Sequence, residues 1–211
     1  MKMRIASTRL YSALVAAATF VVIGNAQPAK ADVITYIFSG TGSGRLGANF
    51  FTNAPFTLTA SADPAQVTYL LPPVLKVSDY STSVSITGIG NATFTTNFQT
   101  LHFNNPNASE SGVGLSLYYQ GPNLIFMQGA ALRPYTLTTS FGPQAGNSTF
   151  SANLFPTTAG DFLLTAVSSG SFQAILQTVP EPATLSLFGL LSIVLVIQRR
   201  RSLRKNGALG V

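Results

Sequence analysis

The chain has 211 residues, a formal net charge of +6 and no cysteine. Nine of its twelve Lys and Arg residues lie outside residues 32–178, and that segment carries three basic residues against five acidic ones. A slightly acidic segment offers no basic face for nucleic acid, so we expect no nucleic-acid partner. The lack of cysteine excludes disulfides, thiolate metal ligands and a cysteine nucleophile.

The N-terminal residues 1–31 have the three parts of a secretory signal peptide. A basic head extends to Arg9, an apolar run follows from Leu10 to Ile23, and the small-residue site Ala29-Lys30-Ala31 comes before Asp32. We expect cleavage after Ala31, with cleavage after Ala26 as the alternative. This pattern predicts export by the Sec machinery and processing by signal peptidase.

Residues 32–178 predict one extracytoplasmic all-β domain. Apolar residues alternate with Thr or Ser in short runs, separated by Gly, Pro and Asn, which is typical of half-buried strands. We therefore expect an antiparallel β-sandwich, without distinguishing a jelly roll from an immunoglobulin-like fold. The predicted strand segments are 33–38, 55–60, 66–71, 83–90, 91–98, 113–120, 124–128, 134–141, 148–155, 161–167 and 171–179.

A glycine-rich stretch surrounds Arg45, with Gly40, Gly42, Gly44 and Gly47 close together. It has no GxxxxGK[ST] pattern, so it does not predict a phosphate-binding loop. We interpret it as a loop at the end of a sheet.

Acidic and histidine side chains give little sign of catalysis. A glycan hydrolase needs two facing carboxylates. We interpret the acidic residues as ones that close turns or solvate loops, namely Asp63, Asp79, Glu110 and Asp161. His102 is the only histidine and reads as a partly exposed strand residue. No D-x-D-x-D-G pattern indicates calcium, so we predict no enzymatic activity, no metal and no cofactor.

Aromatic side chains keep a carbohydrate-binding alternative open. They could form a platform for sugar stacking, although aromatic residues at alternating strand positions are more often core residues. The candidates are Tyr118, Tyr119, Phe126 and Tyr135. Three N-x-[ST] tripeptides, which begin at Asn91, Asn107 and Asn147, could equally arise by chance.

The C-terminal residues 179–205 combine three features, followed by a short tail at 206–211. The tripeptide Pro180-Glu181-Pro182 precedes an uncharged run at 183–198 that contains Gly189, and a basic cluster at 199–205 includes Arg199, Arg200 and Arg201. As a helix the run spans about 24 Å, less than a hydrocarbon core of about 30 Å. We therefore expect a short membrane helix with its basic end in the cytoplasm and the β domain outside.

This arrangement resembles the PEP-CTERM sorting signal of Gram-negative bacteria. Val179 before the tripeptide and Ala183-Thr184 after it also look like the commonest version of that signal. The resemblance implies recognition by an exosortase, a membrane-bound cysteine transpeptidase that removes the helix near the Pro-Glu-Pro motif. The family is associated with exopolysaccharide and biofilm.

The expected function is that of an exported surface or extracellular-matrix protein with a structural or adhesive role. It would be anchored transiently by its C-terminal helix and then processed by an exosortase-like transpeptidase, with exopolysaccharide as a further partner. The first alternative is a lectin-like carbohydrate-binding module, and the second is a glycan hydrolase.

Overall fold

The computed structural model describes residues 32–104, 111–118 and 121–178. The predicted signal peptide, its cleavage site at Ala29 and Ala31, and the predicted sorting signal lie outside these residues. Within them the chain forms twelve strands and two single-turn 3-10 helices, Pro64–Gln66 and Ala130–Leu132. The strands are β1 (Val33–Leu46), β2 (Asn49–Ala62), β3 (Thr68–Leu71), β4 (Val74–Ile86), β5 (Gly90–Thr93), β6 (Gln99–Asn104), β7 (Ser111–Ser116), β8 (Asn123–Gln128), β9 (Phe141–Ala145), β10 (Asn147–Thr149), β11 (Phe155–Thr157) and β12 (Gly160–Gln177).

The strands join into one antiparallel, nearly closed sheet. Its main path runs β10-β8-β7-β6-β4-β2-β1-β12-β11, while β3 and β5 pair with β4 and β9 pairs with β12. The N-terminal half of β4 pairs with β3 and β6, and its C-terminal half pairs with β2 and β5. One half of the sheet contains β10, β8, β7 and β6, and the other contains β2, β1, β12 and β11. Because β4 belongs to both halves, the sheet folds over on itself and encloses a core. The predicted all-β, antiparallel class is confirmed.

The longest pairing joins the first and last strands. Every residue of β1 from Val33 to Leu46 has a partner in β12, beginning with Val33 opposite Gln177. Two register shifts interrupt the pairing, between Thr41 and Gly42 and between Ser43 and Gly44. The segments 161–167 and 171–179, predicted as separate strands, therefore belong to the single strand β12 as far as Gln177.

The glycine-rich stretch is not a loop, which corrects the sequence interpretation. Gly40, Gly42 and Gly44 lie within β1, and the chain turns only at Gly47 and Ala48. A Cβ atom at Gly42 would lie 2.6 Å from the carbonyl oxygen of Ala166 and 3.1 Å from the ring of Phe56. Glycine is required here because the backbone of β12 and an aromatic ring of β2 both lie too close to β1 for a Cβ atom.

The segment 134–141 was also wrongly predicted as a strand. It forms turns, and β9 begins only at Phe141. Tyr135 and Leu137 are nevertheless buried, and the Leu137 backbone has a φ of 64°. The alternation of apolar residues therefore reflects packing of an irregular segment against the core.

Aromatic rings dominate the core. The Phe172 ring centroid lies 5.0 Å from that of Phe38 and 5.6 Å from that of Tyr135. A second group surrounds Phe94, whose centroid lies 5.1 Å from Phe98 and 5.7 Å from Phe162. Buried rings of this size supply apolar area that substitutes for disulfides in stabilising a cysteine-free domain.

Neither helix in the described ranges has the length and apolar character that a membrane span needs. The short membrane helix predicted at 183–198 lies outside those ranges.

Candidate functional site

The described structure reaches the edge of the predicted sorting signal. β12 ends at Gln177, and Thr178 is the last described residue before Val179. The key residues of the sorting signal lie outside the described residues. They are Pro180, Glu181, Pro182, Gly189, Arg199, Arg200 and Arg201. Their attachment point is nevertheless defined, because the chain that leads to them leaves the sheet at the end of its longest strand.

A buried acid lies where β4 passes from one half of the sheet to the other. Asp79 is only 4% exposed, and its backbone N–H donates to the carbonyl oxygen of Phe98 at 3.0 Å. The hydroxyl of Thr100 lies 2.9 Å and 3.0 Å from the two carboxyl oxygens of Asp79. Burial raises the pKa of Asp79 well above its ordinary value, and the Thr100 hydrogen bond opposes that shift only in part. The expectation that Asp79 closes a turn was wrong.

His102 lies in β6 but is buried, which corrects the expectation of a partly exposed histidine. It is 1% exposed, and its Nε2 lies 3.0 Å from the carbonyl oxygen of Leu132. Since a carbonyl can only accept, Nε2 carries the proton and donates. Nδ1 has no hydrogen-bond partner among the described residues. Burial lowers the pKa of His102, so the imidazole is neutral.

Two tyrosines complete this buried polar group. Tyr36 donates its hydroxyl to the carbonyl oxygen of Leu137 at 2.7 Å, and burial raises its pKa. Burial also raises the pKa of Tyr135, whose hydroxyl has no hydrogen-bond partner in the part of the chain that the structure describes. All five side chains of this group are at most 4% exposed, namely those of Asp79, Thr100, His102, Tyr36 and Tyr135. Because a substrate would have to enter the core to reach them, their geometry fits a structural role.

The other acidic candidates do not converge. Asp63 caps the first 3-10 helix by accepting from the backbone N–H of Ala65 at 2.9 Å, as a turn residue does. Asp161 is exposed on β12, opposite Pro156 of β11. Glu110 lies outside the described residues. Within the described ranges, no group of three His, Cys, Asp or Glu side chains is placed to hold a metal.

The four aromatic candidates for a sugar platform occupy different environments. Tyr135 is 3% exposed and packs in the core, whereas Tyr118 is 59% exposed with its ring over Gly121. Phe126 covers Gly112 and Gly114 on β7, where an added Cβ would lie within 2.5 Å of its ring. Tyr119 lies outside the described residues. Tyr135 therefore cannot stack on a surface-bound sugar.

The sequence offered only partial signals for the buried polar group. Thr100 was not singled out, because threonine is common throughout the strands. Its role depends on Asp79, which lies 21 positions earlier in the chain. The one available signal was the alternation around His102, which places Thr100 and His102 on the same face of β6.

Comparison with known proteins identifies the C-terminal segment. Residues 178–201 match the model of the PEP-CTERM protein-sorting motif. No curated protein and no solved structure gave a significant match to the chain. The match begins directly after the last residue of β12, so the motif follows the β domain without overlapping its final strand.

The motif supports an exported bacterial protein that is sorted to the cell surface with an exosortase as the general processing partner. The chain thus combines an all-β antiparallel domain with a C-terminal PEP-CTERM sorting motif.

Proposed function

We propose that this protein is displayed at the cell surface or in the extracellular matrix, where its β domain has a structural or adhesive role in exopolysaccharide or biofilm. The observation that carries the proposal is the sorting-motif match at 178–201, which starts where β12 ends at Gln177. Cleavage beyond that point leaves every strand of the domain complete.

Delivery involves both ends of the chain. Signal peptidase removes residues 1–31 after Sec export, and the uncharged run at 183–198 holds the chain in the inner membrane of a Gram-negative bacterium. An exosortase-like transpeptidase then cuts near Pro180-Glu181-Pro182 and transfers the domain onward. This route is supported by the sequence patterns at the two ends and by the motif match.

A structural or adhesive role is supported by how β12 is held. The strand that leads to the tail pairs with β1 along all fourteen residues of β1. A pull on Thr178 along β12 therefore loads many β1–β12 hydrogen bonds together. This arrangement suits a domain that bears force between a cell and a matrix.

A non-catalytic role is part of the same proposal. The described carboxylates that a hydrolase could use lie in different environments. Asp79 is buried in the core, Asp63 caps a 3-10 helix, and Asp161 lies on the surface. A glycan hydrolase would need two of them facing each other about 5 to 10 Å apart in an open cleft.

Cell fractionation with paired glutamate variants tests the proposal. The chain has only two glutamates, Glu110 and Glu181, so Glu110→Gln is a matched control for Glu181→Gln. In a host with an exosortase, we expect the wild type and Glu110→Gln at the surface and Glu181→Gln retained in the inner membrane. Surface display of Glu181→Gln at the wild-type level would contradict processing at the tripeptide.

A further inference from the structure

The nearly closed sheet has a polar seam between β10 and the middle of β12. β12 pairs with β11 as far as Phe162 and with β9 from Ser171, and no described strand pairs with the intervening residues on that side. β10 pairs only with β8 among the described strands. The backbone N–H of Gly146 donates to the carbonyl oxygen of Gly170 at 3.2 Å, which bridges the two edges at one point.

A cavity of about 210 Å³ opens at this seam. That volume exceeds the roughly 10–15 Å³ that one water molecule needs, and it lies below the roughly 300 Å³ at which drug-sized pockets begin. It therefore has room for one small ring. Its lining residues are Gly146, Asn147, Ser148, Val167, Ser168 and Ser169.

The lining has the chemistry of a site for a neutral polyol. It contains one side-chain amide and three hydroxyls, and none of its residues is charged. Asn147 is exposed and offers both a donor and an acceptor, which is what a sugar hydroxyl requires. An anionic ligand would lack a basic partner in this lining, and a divalent cation would lack the carboxylates that it prefers.

Two of the hydroxyls are already oriented by the fold. Ser148 donates to the sulfur of Met127 at 2.8 Å, and Ser168 donates to the carbonyl oxygen of Thr41 at 3.2 Å. Because each hydroxyl has one hydrogen and two lone pairs, the oxygens of both remain able to accept from a ligand. Gly170 leaves space for this arrangement, since an added Cβ would collide with Ser148. Groups oriented in advance lose less entropy on binding.

We infer that the seam cavity binds one unit of a neutral sugar, with Asn147 as its principal hydrogen-bonding side chain. The inference rests on the proposed display of the domain in a polysaccharide matrix, and it gives that role a specific contact. A neutral glycan held at the seam would link the domain to the matrix.

Saturation-transfer difference NMR on the full chain in detergent micelles tests the inference. The probes are glucose, galactose, mannose and N-acetylglucosamine, with glucuronate and glucosamine as charged comparators. Asn91→Ala is the matched control for Asn147→Ala, because both residues are exposed asparagines on short strands and both begin an N-x-[ST] tripeptide. We expect binding of at least one neutral sugar and a Kd raised about fivefold by Asn147→Ala but not by Asn91→Ala.

A second pair of variants fills the cavity without removing the amide. Ser169→Tyr places a ring at the seam, whereas Ser85→Tyr adds the same ring to an exposed position on β4. We expect only Ser169→Tyr to abolish binding. The inference is overturned if no neutral sugar binds, if a charged sugar binds more tightly, or if the matched variants behave alike. A chain that reaches the surface normally yet binds no sugar would overturn this inference and leave the proposed surface display standing.

Discussion

Val33 and Gln177 are direct antiparallel partners at the end of the β1–β12 pair where β1 begins and β12 ends. Val33 lies just after the expected signal-peptide cleavage site, and Gln177 lies just before the matched sorting motif. The domain therefore begins and ends side by side, so both processing events would act on chain that leaves the same end of the sheet.

The completeness of β12 predicts how truncation affects folding. We expect a chain of residues 32–178 to unfold cooperatively in urea, because it keeps every described strand. A chain that ends at Gly170 loses the β1 pairs from Ser39 opposite Ser171 to Val33 opposite Gln177, together with buried Phe172. We expect this shorter chain to lack the cooperative transition. A native-like transition in the shorter chain would show that the pairs from Ser39 to Val33 are dispensable.

The buried carboxyl of Asp79 predicts a loss of stability at high pH. Since burial raises its pKa in the folded state, its contribution is complete below the unfolded value of about 3.9 and is lost as the pH rises through the folded pKa. Asp79→Asn keeps an oxygen that accepts from Thr100 and removes the charge. At pH 8 we expect the variant to have a free energy of unfolding higher by about 1 kcal/mol or more.

Urea unfolding between pH 4 and pH 8 measures this difference. Asp161→Asn is the matched control, because it removes the same charge from an exposed position on β12. Asp79→Asn should lose the fall in stability that the buried carboxyl causes as the pH rises, and it should keep the opposite trend that His102 causes. Asp161→Asn should show both trends, as the wild type does. Equal profiles for wild type and Asp79→Asn would mean that Asp79 is not the source of the pH dependence.

His102 predicts the opposite trend on the acid side. Its pKa is lowered by burial, so the unfolded chain takes up a proton near pH 6.5 while the folded chain does not. The wild type should therefore lose stability relative to His102→Gln as the pH falls from 7 to 5. The chain has no other histidine, so urea unfolding of these two proteins isolates the effect. A stability difference that stays constant over this range would contradict neutral burial of His102.

Gly42 predicts a steric requirement inside β1. Gly42→Ala places a Cβ 2.6 Å from the Ala166 carbonyl oxygen, so the backbone or the Phe56 ring must move. We expect a loss of about 1 to 3 kcal/mol in the free energy of unfolding. Gly129→Ala is the control, since the nearest atom to its added Cβ lies 3.9 Å away. Thermal or urea unfolding should leave Gly129→Ala near wild type, and an equal loss in both variants would refute the packing argument.

The sequence predicted the class of the fold because alternation and turn residues are local signals. It mispredicted features whose cause is distant in the chain. The glycines of β1 were interpreted as a loop because the groups that pack against them, the backbone carbonyls of β12 and aromatic rings of β2, lie on other strands. Asp79 read as a turn residue because its partner Thr100 lies on another strand, and the contact between His102 and Leu132 spans 30 positions.

The sorting motif could be recognised from the sequence, where it was predicted at residues 179–205 and the family model matches residues 178–201. Its signal is the order of a tripeptide, an apolar run and a basic cluster, and none of these depends on tertiary contacts. The seam cavity could not be predicted, because Asn147 and Ser169 line the same cavity only when the sheet closes and brings β10 beside β12.

The intact mass of the mature protein shows whether the C-terminal tail is removed. It should be measured by mass spectrometry on protein isolated from a host with its exosortase and from the same host without it. With the exosortase, we expect a mass that lacks residues 1–31 and ends near Pro182, so that the run at 183–198 and the residues from Arg199 to Val211 are missing. Without it, the C-terminal residues should remain. A mature mass that retains Arg199 to Val211 in the presence of the exosortase would rule out processing at the tripeptide.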